Sequence, residues 1–372
     1  MPPAKPVLGV RMRLRTALVG WSLLLALPGL ALAQTQISQP KQPHKGPGGQ
    51  DYAHAAVAKL HIGLGADACW LYTPAEPVPL TAPVVVFLHG WGGMDPVSYG
   101  AWIEHLVRKG SIVIYPRYQA DLLTPPGEMT EHALNAVNSA LALLEQGETK
   151  PDRERLAIIG HSLGAVIGAN LACEAMNGWM PQPKALMLIE PGDSKNSNIA
   201  RAFGVDERVP SILRDYSAIP ADTLMLCIVA EEDFLAGKTA ARNIFYRATG
   251  IARGNKDFVT VFSDRRGNPP LVANHLAPLA PSEAYREEIR KRLWDRLRDR
   301  LGKTLPIARE MEGATTDALD WYCFWRLADA LMAAAFTGEH REEALGGGFE
   351  QKFMGKWSDG VPVKPLAVTD SP

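Results

Sequence analysis

A mostly parallel β-sheet covered by helices on both faces is the architecture that this 372-residue sequence predicts. Short runs rich in Val, Ile and Leu recur without polar alternation, as strands buried on both faces require. Segments with helical apolar spacing separate them, which is the order that a parallel sheet with crossover helices produces. At one junction an apolar run passes through Gly160, His161, Ser162, Leu163 and Gly164 directly into a second apolar run.

In chain order, Arg11, Arg13 and Arg15 precede an apolar stretch over residues 17–27, and Ala31, Leu32 and Ala33 supply small residues before Gln34. This pattern predicts a secretory signal peptide over 1–33, with Met12 offering a second start. Pro28 and Gly29 interrupt the stretch, whereas a retained anchor wants about 20 unbroken apolar residues, so no stable membrane insertion is expected after cleavage. Residues 34–54 are rich in Gln, Lys, Pro and Gly and read as a flexible linker, with the folded domain running over 55–372.

The patterns at Leu60, His61, Ile62 and at Cys69, Trp70, Leu71, Tyr72 predict two edge strands paired antiparallel. Residues 84–88 are the first strong central strand, 102–109 a helix stopped by Gly110, and 112–115 the next strand. Leu134, Val137, Leu141 and Leu144 line one helical face. Residues 155–159, 185–189, 224–229 and 258–262 complete the buried series. The interval between 189 and 224 has room for a short helix or two and none for a large cap domain. Ile289, Leu293, Leu297 and Leu301 predict an amphipathic surface helix among mixed charges, and residues 319–327 place an aromatic cluster on a helix that packs into the core.

Composition narrows the function. The net charge of −1 lacks the basic excess that nucleic-acid binding needs. Cys69, Cys173, Cys227 and Cys323 are far apart and show no metal-ligand spacing; Cys173 and Cys227 read as buried small hydrophobes, although export would permit a bridge. The nine His carry no paired-ligand motif, so neither metal nor cofactor is expected. Oligomeric state is not legible.

A Gly-x-Ser-x-Gly alone arises by chance in about one chain in ten of this length. Its position between a buried strand and a helix makes it specific. A tight turn there forces its central residue into strained geometry and requires Gly160 and Gly164 where a side chain would collide with its neighbours. Ser162 is therefore the expected nucleophile. It needs a base and a group to orient that base. The acid is expected just after 224–229, where Glu231, Glu232 and Asp233 fall; Asp233 is preferred, with Glu190 after the preceding strand as a competitor. The base is expected beyond the following strand, where the loop 263–278 holds a single histidine, His275. His161 reads as packing and His89 as a brace for the loop Gly90, Trp91, Gly92, Gly93. The backbone N–H groups of Trp91 and Leu163 are the expected oxyanion donors.

These residues together resemble the α/β-hydrolase family, over roughly 60–280. The tail over 356–363 also looks like endings of bacterial members near the dienelactone-hydrolase-like and chlorophyllase-like branches. Dienelactone hydrolases use a cysteine nucleophile, so Ser162 departs from them and their substrate is not implied. The resemblance implies an α/β-hydrolase fold and a serine hydrolase without naming a substrate. The expectation is an exported, periplasmic or secreted carboxylic-ester hydrolase acting on a small-molecule ester. The rivals are a peptidase, thioesterase or acyltransferase on the same residues, and a non-catalytic binding protein.

Overall fold

The computed structural model describes residues 36–195, 210–286 and 314–372. The expected signal peptide, the expected helix over 289–301 and part of the interval between 189 and 224 lie outside the described residues.

Strand β1 (Ala56–Ile62) opens the sheet, followed by β2 (Cys69–Ala75), β3 (Thr81–Leu88), β4 (Ile112–Pro116), β5 (Lys150–His161), β6 (Ala185–Ile189), β7 (Leu224–Ala230), β8 (Lys256–Val261) and β9 (Ala367–Thr369). They form one sheet in the order β1-β2-β4-β3-β5-β6-β7-β8-β9. β3 through β8 are parallel, and the antiparallel partners sit at the two sides. As the apolar patterns predict, β1 pairs with β2 antiparallel, Leu60 opposite Leu71 and Ile62 opposite Cys69. The short edge strand β9, three residues long, carries too little pattern to be read from sequence.

Alternate residues of each central strand enter opposite layers. Val85, Phe87 and Ile159 join α1 (Gly100–Arg108) and a late helix, Trp325–Phe336, on one face. Val84, Val86 and Ile158 join α2 (Pro126–Leu144), α3 (Leu163–Glu174) and α4 (Thr239–Arg247) on the other. We label the late helix α5. Burial on both sides is why these strands read as continuous hydrophobic runs. The expected face of α2 is largely observed, with Val137, Leu141 and Leu144 buried, but it is centred on Met129, Ala133 and Ala140, and Leu134 only flanks it. The aromatic cluster before α5 packs as expected: Cys323, Phe324 and Trp325 are buried, Phe324 lying 6.2 Å from Trp102. All four cysteines are buried free thiols.

The linker expectation is corrected for residues 36–54. This segment is docked, and the described residues from Gln36 onward belong to one compact unit. Gln36 Nε2 donates to Asn268 O (3.0 Å), Ser38 N to Ser358 Oγ (3.0 Å), Trp321 Nε1 to Pro40 O (3.2 Å) and Gly48 N to Asp329 Oδ2 (2.8 Å). The segment is held by polar contacts with residues more than 200 positions away, which hydrophobic content does not report.

The order of β4, β3 and β5 creates the site. From β3 the chain moves outward to β4, then returns to the opposite side of β3 as β5, so the carboxyl ends of β3 and β5 lie side by side at a switch point.

Candidate active site

Ser162 sits between β5 and α3 with φ 57° and ψ −123°, a backbone conformation that a residue with a side chain rarely adopts. Two glycines permit it. A Cβ on Gly160 would lie 2.4 Å from Gly164 O and 2.7 Å from Ala165 Cα, inside the helix. One on Gly164 would lie 2.3 Å from both Leu88 O and His89 O, at the end of β3. The spacing predicts this geometry because strand, turn and helix must pass within backbone contact of one another.

The structure brings Ser162, His275 and Asp233 together from three loops. His275 Nε2 is 2.8 Å from Ser162 Oγ, and its Nδ1 is 3.0 Å from Asp233 Oδ2. All three residues are buried. Asp233 is aimed by its own turn, since Oδ1 accepts from Leu235 N and Ala236 N, each at 2.9 Å. The neighbouring acids face elsewhere: Glu231 Oε2 accepts from Ser263 N at 3.1 Å, and Glu232 pairs with Arg265 at 2.7 Å on the surface.

Glu190 is different. It lies at the end of β6 with φ 48°, fully buried, and neither carboxyl oxygen makes a hydrogen bond. Its Oε2 stands 3.5 Å from both His275 Nδ1 and His161 Nε2. Burial, reinforced by the nearby Asp233 carboxylate, pushes the Glu190 carboxyl well above the ordinary carboxylate range. Burial disfavours the charged form that orients an imidazole, and Asp233 Oδ2 stands closer to His275 Nδ1, so geometry and charge both favour Asp233 as the partner of His275.

Leu163 is the first residue of α3, so helix geometry leaves its N–H without an intrahelical acceptor. Trp91 is buried on the loop after β3 and lines the same cavity as Ser162 and His275, together with Leu276 and Leu279. That loop runs close enough that a Cβ on Gly90 would stand 3.3 Å from Ser162 Cβ. His89 braces it, as expected: its Nδ1 is 2.6 Å from Gly90 O, its Nε2 2.8 Å from Arg117 O, and its ring stacks on Tyr118 at 4.1 Å.

Two contributors were not foreseen. Gly92 N donates to Gln119 Oε1 at 2.9 Å, and Tyr99 Oη accepts from Gly90 N at 3.0 Å. Neither residue belongs to a spaced motif; Tyr99 ends a short 3-10 helix, Pro96–Tyr99, and no local signal marks it. The reading of His161 as packing needs extension too, because both of its ring nitrogens are engaged within the site. Nδ1 lies 2.7 Å from Tyr99 Oη and Nε2 2.9 Å from His275 O.

A parallel sheet in this strand order, with a strained serine between the fifth strand and its helix, is the architecture of an α/β-hydrolase fold. Residues 67–214, less than half of the chain, match the model of the family described as Chlorophyllase, a likeness that suggests a hydrolase. The match takes in Ser162 and Glu190 and ends before Asp233 and His275. The chain is also 28% identical over 152 residues to xylulose kinase of Rattus norvegicus, covering 36% of this chain and 28% of that protein. It thus spans little more than a quarter of that curated relative.

Proposed function

We propose that the protein is a serine hydrolase that cleaves carboxylic esters of small molecules through an acyl-enzyme on Ser162, His275 and Asp233. The observation that carries this reading is the continuous hydrogen-bonded chain from Ser162 Oγ through His275 to Asp233, 2.8 and 3.0 Å long at its two links, ending on a serine held in strained backbone. Strain of this kind persists where the surrounding fold over-determines it, and a protein that only bound ligands has no use for it.

Ser162 Oγ attacks the ester carbonyl while its proton passes to His275 Nε2. Asp233 accepts from His275 Nδ1–H, fixes the ring and stabilises the imidazolium. The N–H groups of Trp91 and Leu163 receive the negative charge that develops on the carbonyl oxygen, the latter aided by the positive end of α3. His275 then returns the proton to the leaving alcohol. Water attacks the acyl-enzyme by the same steps in reverse order, which restores Ser162 and releases the acid. Every proton in this cycle is carried by His275, and the steps use protein side chains and water. In this reading the charged and apolar runs before Gln34 export the protein, which acts in the periplasm or outside the cell.

Turnover of matched ester, amide and thioester probes tests the proposal. The ester is expected to be cleaved fastest, and Ser162→Ala is expected to reduce its turnover by roughly 10⁴- to 10⁶-fold. Preference for the amide or thioester would move the activity to peptidase or thioesterase chemistry; parent-level turnover in Ser162→Ala would remove the serine mechanism.

A further inference from the structure

Three loops must keep a common register for this chemistry to run: the oxyanion loop after β3, the serine turn after β5 and the histidine loop after β8. One buried chain of hydrogen bonds touches all three. Gly90 N–H donates to Tyr99 Oη at 3.0 Å, Tyr99 Oη lies 2.7 Å from His161 Nδ1, and His161 Nε2 lies 2.9 Å from the backbone oxygen of His275. Tyr99 and His161 are both buried.

Donor and acceptor roles along this chain follow from its ends. The His275 carbonyl can only accept, so His161 Nε2 carries the proton. A neutral imidazole with its proton on Nε2 accepts at Nδ1, so Tyr99 donates there and uses an oxygen lone pair to receive Gly90 N–H. The ring stays neutral because burial holds His161 well below the ordinary histidine range, an effect reinforced by the neighbouring His275. Glu190 stands 3.5 Å from His161 Nε2, and burial disfavours its charged form as well. Nothing in the proposed cycle requires Tyr99 or His161 to exchange a proton with substrate.

We propose that Tyr99 and His161 are positioning residues that lock the oxyanion loop to the loop carrying the general base, acting through Gly90 N–H at one end and the His275 carbonyl at the other. The inference rests on the serine-hydrolase reading above. His161 is one residue before Ser162, so the same ring also ties the nucleophile turn to both loops. A shift of the oxyanion donors by a fraction of an ångström weakens bonds that matter in the transition state more than in the bound ester. The expected signature of losing the lock is therefore a lower kcat with little change in KM.

The test uses Tyr99→Phe, His161→Gln and the double variant, each with its concentration of competent sites counted by stoichiometric fluorophosphonate labelling. Per labelled site, Tyr99→Phe is expected to lose about 10- to 100-fold in kcat, with KM within about twofold. The affinity for a trifluoromethyl ketone, which occupies the oxyanion site, is expected to fall in parallel with kcat/KM. His161→Gln keeps a donor for the His275 carbonyl and is expected to retain more activity than His161→Leu. The double variant is expected to cost no more than the worse single, because both changes cut one chain. Unchanged kcat per labelled site in Tyr99→Phe would overturn the proposal, as would multiplicative losses in the double variant. Should Tyr99→Phe fail to fold, equal activity in His161→Gln and His161→Leu would overturn it. Parent-level ester turnover in Ser162→Ala is a separate outcome, which defeats the underlying serine-hydrolase reading instead.

Discussion

Glu190 Oε2 stands 3.5 Å from His275 Nδ1, the same ring nitrogen that meets Asp233 Oδ2 at 3.0 Å. Two carboxyl groups therefore face one imidazole, from the ends of β6 and β7. They are unequal. Asp233 is oriented by two backbone N–H groups, whereas the Glu190 carboxyl makes no hydrogen bond and burial pushes it well above the ordinary carboxylate range. Asp233→Asn is expected to keep the fold and lower kcat by roughly 10³- to 10⁴-fold, because an amide cannot stabilise the imidazolium. Glu190→Gln is expected to cost less than about tenfold. Steady-state kinetics on both variants decides, and a crippling Glu190→Gln beside a nearly silent Asp233→Asn would transfer the acid role to Glu190.

Glu190 also predicts a pH-dependent stability. Its carboxyl is raised in the folded state above the ordinary value of 4.5 by burial and by Asp233. Below the unfolded value both states hold the proton and the group costs nothing. Above it the unfolded chain releases the proton while the folded chain retains it, so stability falls as pH rises towards the folded value. Glu190→Gln removes that dependence. The difference in Tm, variant minus parent, is expected to grow from pH 4 to pH 8 by differential scanning calorimetry; a difference independent of pH would contradict a buried neutral carboxyl.

The serine turn makes a steric prediction. A methyl group at residue 164 would enter within 2.3 Å of two carbonyl oxygens at the end of β3. Backbone atoms there cannot yield without separating β3 from α3. Gly164→Ala is expected to cost at least about 1–3 kcal/mol and to abolish ester turnover in whatever protein folds. Full activity with an unchanged Tm would mean that the turn is looser than described.

Residues 36–40 predict a role for a segment that composition marks as linker. Gln36 and Gln39 donate to the backbone oxygens of Asn268 and Pro269, and Trp357 Nε1 donates to Asp264 Oδ2 at 3.0 Å, so two segments distant in sequence hold the hairpin that leads to His275. Deleting residues 34–40 is expected to lower Tm and to speed amide hydrogen exchange chiefly over 264–271. Unaltered exchange there would show that the hairpin stands without them.

How much was legible follows from the physics of each signal. The central strands and the helices behind them announce themselves by apolar period, and Ser162 by two glycines whose necessity is steric. Asp233 and His275 are legible as candidates through chain order and the scarcity of histidine in one loop. Tyr99, Gln119 and the docking of residues 36–54 act through single hydrogen bonds between residues distant in sequence. Such contacts leave no periodicity and no local motif. Glu190 is legible as a competing acid, but the upward shift of its carboxyl depends on burial that only the packed sheet supplies.

The central claim is that Ser162 is an activated nucleophile, and covalent labelling reads it most directly. Intact-mass and peptide mass spectrometry after treatment with a fluorophosphonate is expected to show one adduct per chain, on Ser162. His275→Ala is expected to slow labelling by orders of magnitude, and folded Ser162→Ala to remain unlabelled. Equal labelling of Ser162→Ala, or failure of the folded parent protein to label at all, would contradict the account.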